Sequence, residues 1–109
     1  MMKLYIGGAW QGQADLARRE NPGTVIVEDV HEAVRQALGE GMDPVLFAKS
    51  LCQAHPQGVF TANEVGSGVV PMTAEDRAFR EGAGRALCYI AQQADAVVRV
   101  ICGIGVRIK

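Results

Sequence analysis

Two kinds of hydrophobic pattern alternate along the chain: short apolar or β-branched runs, and stripes at helical spacing. Lys3–Ile6 is an apolar run of β type that stops at Gly7-Gly8. Ala9–Gly12 reads as a loop, and Ala14–Arg19 as one or two helical turns before the turn signal Asn21-Pro22-Gly23. Thr24–Val27 is β-branched throughout with no alternation, which predicts a strand buried on both faces. Val30, Ala33, Val34, Ala37 and Leu38 recur at the spacing of one helix stripe. Asp29 is placed to cap that helix, with Glu32 at capping-box distance. Pro44 opens a further helix with Val45, Ala48, Leu51 and Cys52 inward, ending at His55-Pro56-Gln57-Gly58. Val59–Ala62 reads as a third strand, followed by a glycine-rich loop from Asn63 to Pro71. Thr73 and Asp76 form a second capping signature, opening a long helix that runs to about Gln93. Its inward side carries Phe79, Ala83, Ala86, Leu87, Ile90 and Ala94. Gly82 and Gly84 within it cost roughly 1 kcal/mol each relative to alanine, so they imply either close contact with another backbone or a weak helix. Ala96–Ile101 is a fourth strand, and Gly103-Ile104-Gly105 turns the chain so that Val106–Ile108 pairs back as a hairpin.

These elements predict an α/β fold: a mostly parallel sheet flanked by helices, with a C-terminal β-hairpin. The 109 residues, 49% of them hydrophobic, suit a single domain over 1–109. A core this small leaves surface for a partner to cover. A net charge of −1 argues against nucleic acid, which demands clustered Lys and Arg. No apolar run reaches the roughly 18–20 residues of a membrane span. Met1–Ile6 meets Gly7-Gly8 too early for a secretory leader, and Cys52, Cys88 and Cys102 show no paired spacing. A cytoplasmic location with reduced thiols is expected.

The chemistry-bearing motif follows the first strand. Gly7-Gly8-Ala9-Trp10-Gln11-Gly12-Gln13-Ala14 keeps the glycine spacing of a Walker A phosphate loop, with Gln13 in place of the lysine and Ala14 in place of the hydroxyl. Backbone N–H groups of such a loop cradle an anion without side chains. Phosphoryl transfer asks for more, because the lysine neutralises charge on the migrating group and the hydroxyl holds Mg²⁺. Trp10 reads as a shield, a block or a plug of this loop. Val25–Asp29 reads either as a Walker B equivalent, an acidic strand end placed to bind Mg²⁺ or its water, or more simply as Asp29 capping the helix. Asn63 and Glu64 follow the third strand at the same sheet edge, where Glu64 is a candidate to polarise a hydroxyl. Arg77, Arg80 and Arg85 lie on the long helix, either as a phosphate-binding cluster or as a face salt-bridged to Glu75, Asp76 and Glu81. His31 and His55 read as surface histidines.

The C-terminal half carries a more specific signal. Thr61-Ala62-Asn63-Glu64-Val65-Gly66-Ser67-Gly68-Val69-Val70-Pro71, Arg77-Ala78-Phe79-Arg80 with Ala83-Gly84-Arg85, Ala94-Asp95 and the closing Gly103-Ile104-Gly105-Val106-Arg107-Ile108-Lys109 together resemble the adenosylcobinamide kinase / adenosylcobinamide-phosphate guanylyltransferase family of cobalamin biosynthesis. At the front, Lys3–Ala9 looks like the family's first strand and loop entry. The resemblance implies a P-loop NTPase-like (RecA-like) fold and a nucleotide site at Gly7, Gly8, Ala9, Gly12, Gln13, Ala14, Asn63 and Arg80, with Glu64 as catalytic candidate. It further implies ATP or GTP as nucleotide, a corrinoid precursor as ligand, and a homo-oligomer or a full-length family relative as partner.

The chain departs from the family in three places. Gln13 and Ala14 replace the loop lysine and hydroxyl. The stretch between the loop helix and the acidic strand, which carries the family's guanylylated histidine, is bridged by Asn21-Pro22-Gly23. Leu87-Cys88 stands where the family shows Asn-Gln. A truncated, catalytically impaired relative is therefore expected, acting as an accessory, nucleotide- or anion-binding or oligomerising module. Residual phosphorylation of adenosylcobinamide is the alternative.

Overall fold

A computed structural model describes residues 1–65 and 73–109; the glycine-rich stretch 66–72, singled out above, lies outside the described residues. The chain runs β1 (Lys3–Gly7), α1 (Gln13–Glu20), β2 (Ile26–Val27), α2 (Val30–Gly39), α3 (Pro44–Ala54), β3 (Val59–Asn63), α4 (Ala74–Gln93), β4 (Ala96–Ile101) and β5 (Ile104–Arg107). The sheet order is β2-β3-β1-β4-β5, parallel except for the final hairpin pair β4–β5. This is the expected P-loop-like α/β architecture.

The strand alternation of β1 divides the core in two. Leu4 faces the larger layer with Phe60, Ala62 and Val97, covered by α2, α3 and α4 through Val30, Val34, Ala48, Ala83, Ala86 and Ile90. Tyr5 faces the other way with Val59 and Val100, under Leu16 and Ala17 of α1. Because β1 is central, the loop that follows it opens at the carboxyl edge of the sheet between β3 and β4, where α/β folds place their ligands.

The caps explain where the helices begin. Asp43 accepts N–H bonds from Val45 and Leu46, both at 3.0 Å, ahead of Pro44. Thr73 accepts from Asp76 N–H at 3.0 Å, as its spacing predicts. Asp29 does not cap: it holds the N-cap position of α2 with φ 54°, and its side chain makes no capping bond. Glu32 turns instead to Arg35.

The expectation of a fully buried second strand also fails. Only Ile26 and Val27 pair, with β3 alone, and Val25 is 66% exposed. The run is β-branched, but among the described residues it lies at the sheet edge with no strand beyond it.

Candidate functional site

The β1–α1 loop is built around two left-handed residues, Trp10 at φ 64° and Gly12 at φ 88°. These bend the chain back so that α1 starts at Gln13. Gly7 is needed for a different reason: a Cβ there would stand 2.4 Å from the carbonyl oxygen of Val100, so β1 and β4 approach too closely for any side chain. Gln11 ties the loop to the hairpin turn, its backbone carbonyl accepting from Gly103 N–H and its Oε1 from Cys102 N–H, each at 2.7 Å.

The centre of the loop is filled by Gln13. Its side chain is buried, and its Nε2 lies 3.0 Å from the carbonyl oxygens of Gly7 and Gly8, 3.0 Å from Asn63 Oδ1 and 3.2 Å from the carbonyl oxygen of Ala62. Two amide hydrogens are thus shared among four acceptors. Four oxygens converging on one nitrogen form a seat for a donor or a cation, and a neutral amide occupies it. The side chain folds inward, bridging the loop to the tip of β3. Glu64 N–H adds a parallel tie to the carbonyl oxygen of Gly7 at 2.8 Å.

Beside this seat lies a cleft of about 400 Å³ lined by Trp10, Gln13, Ala14, Asp15, Asp29 and His31 among others. Neither lysine nor arginine lines it. Arg18 is drawn away into ion pairs with Asp15 at 2.8 Å and with Glu28, and these partners, Glu28 first, raise its pKa. The cleft therefore presents carboxylates and neutral dipoles, with no fixed cation to meet a phosphate.

Gly7, Gly8, Ala9, Gly12, Gln13, Ala14 and Asn63 are brought together as expected. The other two candidates turn their side chains elsewhere. Glu64 directly follows Asn63 and bonds the Gly7 carbonyl through its N–H, but its carboxylate faces Arg99 of β4 at 3.5 Å. Arg80 lines a groove between α3 and α4 with Val45, Gly84 and Tyr89. No ion pair joins Arg77 or Arg85 to Glu75, Asp76 or Glu81 among the described residues, so the salt-bridged face expected there does not form around those two. Trp10 neither plugs nor shields the seat: it is 99% exposed, and Gln13 is the occupant.

The sequence reading missed His31. It is buried rather than superficial, and its Nδ1 accepts the backbone N–H of Asn63 at 3.0 Å. The available signal was its place in the first turn of a helix that follows an edge strand, which aims it at the same sheet edge as the loop. His55 packs edge-on against Phe60 at the other end of the sheet.

The family model for cobinamide kinase / cobinamide phosphate guanyltransferase matches residues 15–108, beginning just past the glycine loop. The chain belongs to this family. Two bifunctional adenosylcobalamin biosynthesis proteins CobU, from Escherichia coli K12 and Salmonella typhimurium LT2, are each 38% identical over 79 residues, covering 72% of this chain and 42% of theirs. The chain thus aligns with about two fifths of the length of the curated relatives it matches.

The residues present fit a magnesium-bound nucleotide poorly. Ala14 offers no oxygen at the position where a phosphate loop holds its metal, and Gln13 offers no charge. What the arrangement does supply is a set of loop and helix N–H groups, and a seat already taken by an amide.

Proposed function

We propose that this chain is a catalytically impaired member of the cobinamide kinase / guanyltransferase family, an accessory module of cobalamin biosynthesis whose phosphate loop is held closed by its own side chain. The observation that carries the reading is the Gln13 amide amid four acceptors. An incoming phosphate meets no cation there, and a neutral dipole does little for charge developing on a transferring group. The loop N–H groups leave room for weak binding of an anion or of the phosphates of ATP or GTP.

Calorimetric titration of the full chain with ATP and GTP, with and without Mg²⁺, tests this. Weak binding that magnesium does not tighten is expected. Gln13→Lys with Ala14→Ser should raise affinity by about tenfold or more, because a charge-assisted bond contributes ~1.5–3 kcal/mol. Magnesium-tightened binding by the unaltered chain, with turnover of adenosylcobinamide, would establish the alternative of a residual kinase instead.

The oligomerising role has support of its own. Ile101, Ile104 and Val106 project from one face of the β4–β5 hairpin, with Ile108 just beyond, and all are more than half exposed. A second copy or a full-length relative is the partner proposed to cover them.

A further inference from the structure

We propose that His31 is the positioning residue of the glycine loop and that its protonation releases the loop. The imidazole lies in the first turn of α2, 6% exposed, with Nδ1 accepting the backbone N–H of Asn63 at 3.0 Å. A ring nitrogen that accepts carries no proton, so this contact selects the neutral ring with its hydrogen on Nε2. Asn63 passes the constraint on, since its Oδ1 takes the Gln13 amide at 3.0 Å. The same amide grips the carbonyl oxygens of Gly7 and Gly8. An unbroken chain of contacts therefore runs from the imidazole, through the tip of β3, to the loop.

A proton on Nδ1 breaks the first link. The acceptor becomes a donor, and two N–H groups confront each other at a part-buried contact beside the cleft. Leaving a buried donor without a partner costs more than the bond contributed when made. The tip of β3 must move to relieve the clash, taking Asn63 Oδ1 away from Gln13. A positive His31 would meet Glu32 on its own helix, 3.6 Å from Nε2, with Arg35 held on the other oxygen of Glu32 at 3.5 Å. Asp29, ahead of α2, and Asp15, from α1, line the same cleft, while β3 contributes only the uncharged Thr61, Ala62 and Asn63. Glu64 is turned to Arg99. The latch rests on the Gln13 seat alone and is independent of any nucleotide or family activity.

Nuclear magnetic resonance of the ¹⁵N-labelled full chain from pH 8 to pH 5 tests it, the interval in which histidines as a class change charge. The backbone amide of Asn63 and the side-chain amide of Gln13 should shift along one curve with the His31 ring. Protection of the Asn63 amide from exchange should fall about fivefold or more. His31→Asn keeps an acceptor oxygen near the place of Nδ1 and does not titrate, so both signals should become flat. His55→Asn should leave the curve intact. A Gln13 amide that stays still while His31 titrates, or that still moves in His31→Asn, overturns the proposal. Should His31→Asn fail to fold, the ring ¹⁵N shifts of the unaltered chain decide: hydrogen on Nε2 at pH 8 supports the latch, and hydrogen on Nδ1 sinks it.

Discussion

At the scale of single residues, the glycine loop is held by hydrogen bonds rather than by an ion pair. Gln13 ties the loop to the tip of β3 through four oxygens, of which the carbonyl of Gly7 also accepts from Glu64 N–H, so its removal is felt beyond the loop. Gln13→Leu keeps similar bulk but takes the amide donor away from the carbonyl oxygens of Gly8 and Ala62 and from Asn63 Oδ1. It should destabilise the fold by about 1–3 kcal/mol in urea unfolding, whereas Gln13→Lys, which refills the seat with a donor, should lose less. The glutamine at position 13 is legible in the sequence, but the direction of its side chain is not. Two of the acceptors, Ala62 and Asn63, stand 49 and 50 positions further along the chain, so nothing local says that the side chain bends inward. His31 stayed hidden for the same reason, its partner being 32 positions away. Tyr5 is a second buried polar contact. Its hydroxyl donates to Glu20 at 2.7 Å and accepts from Asn21 at 3.0 Å. Burial first, then the Glu20 carboxylate, push its pKa above the ordinary 10.0. The folded state thus favours the neutral phenol. The stability this contributes is whole below pH 10 and is lost as pH rises through the elevated value. Tyr5→Phe should cost about 1 kcal/mol at neutral pH and flatten the alkaline limb of a stability–pH curve.

At the scale of elements, glycines separate structural need from tolerance. Within α4, a Cβ on Gly84 meets nothing within 4 Å, and a Cβ on Gly82 meets only the flexible end of Leu38, at 2.8 Å. Among the described residues, no backbone stands near the place of a Cβ on Gly84, so close backbone approach does not account for that glycine. Gly84→Ala should stabilise by about 1 kcal/mol, a rise of several degrees in Tm by calorimetry. Gly82→Ala should be close to neutral, since Leu38 can turn aside. Gly7→Ala should be severe, because the obstacle there is the backbone of Val100, and both melting temperature and loop order should suffer. Most elements were legible because their patterns are long: α2, α3 and α4 follow their apolar stripes, and β1, β3 and β4 fall where their runs predict. The failures are local. Composition marked β2 as buried, but burial depends on a second neighbouring strand, and among the described residues β2 pairs with β3 alone. The C-terminus shows another contact sequence does not reveal: the Lys109 ammonium donates to the carbonyl oxygens of Ala91 and Gln92 at 2.9 Å, placing a cation at the end of α4.

At the scale of the whole molecule, coverage of the sheet is uneven. Helices α2, α3 and α4 bury one face of β1, β3 and the start of β4, and α1 shields the other face as far as Gly105, where a Cβ would meet Leu16 at 2.8 Å. Beyond that reach the hairpin carries its apolar side chains outward. The register settles which face they share: Ile101 stands across from Ile104, and Arg99 from Val106, so the exposed apolar groups of both strands point the same way, beside the Arg99–Glu64 pair. Exposures of 51%, 68%, 53% and 62% at Ile101, Ile104, Val106 and Ile108 make this a contiguous patch rather than scattered residues. Among the described residues β5 is also an edge strand, with one side of its backbone unpaired, which is the arrangement that invites another chain to dock. If the patch is an interface, a charge placed within it should break the contact while leaving the fold intact, because these side chains are more than half exposed. Ile104→Lys with Val106→Lys should therefore lower the sedimentation-velocity mass toward that of one chain, with little change in Tm. The unaltered chain should show a mass that rises with concentration across the micromolar range. A single-chain mass for the unaltered protein at every concentration would mean that the hairpin awaits a different partner, and the full-length relative would then be the protein to mix with it.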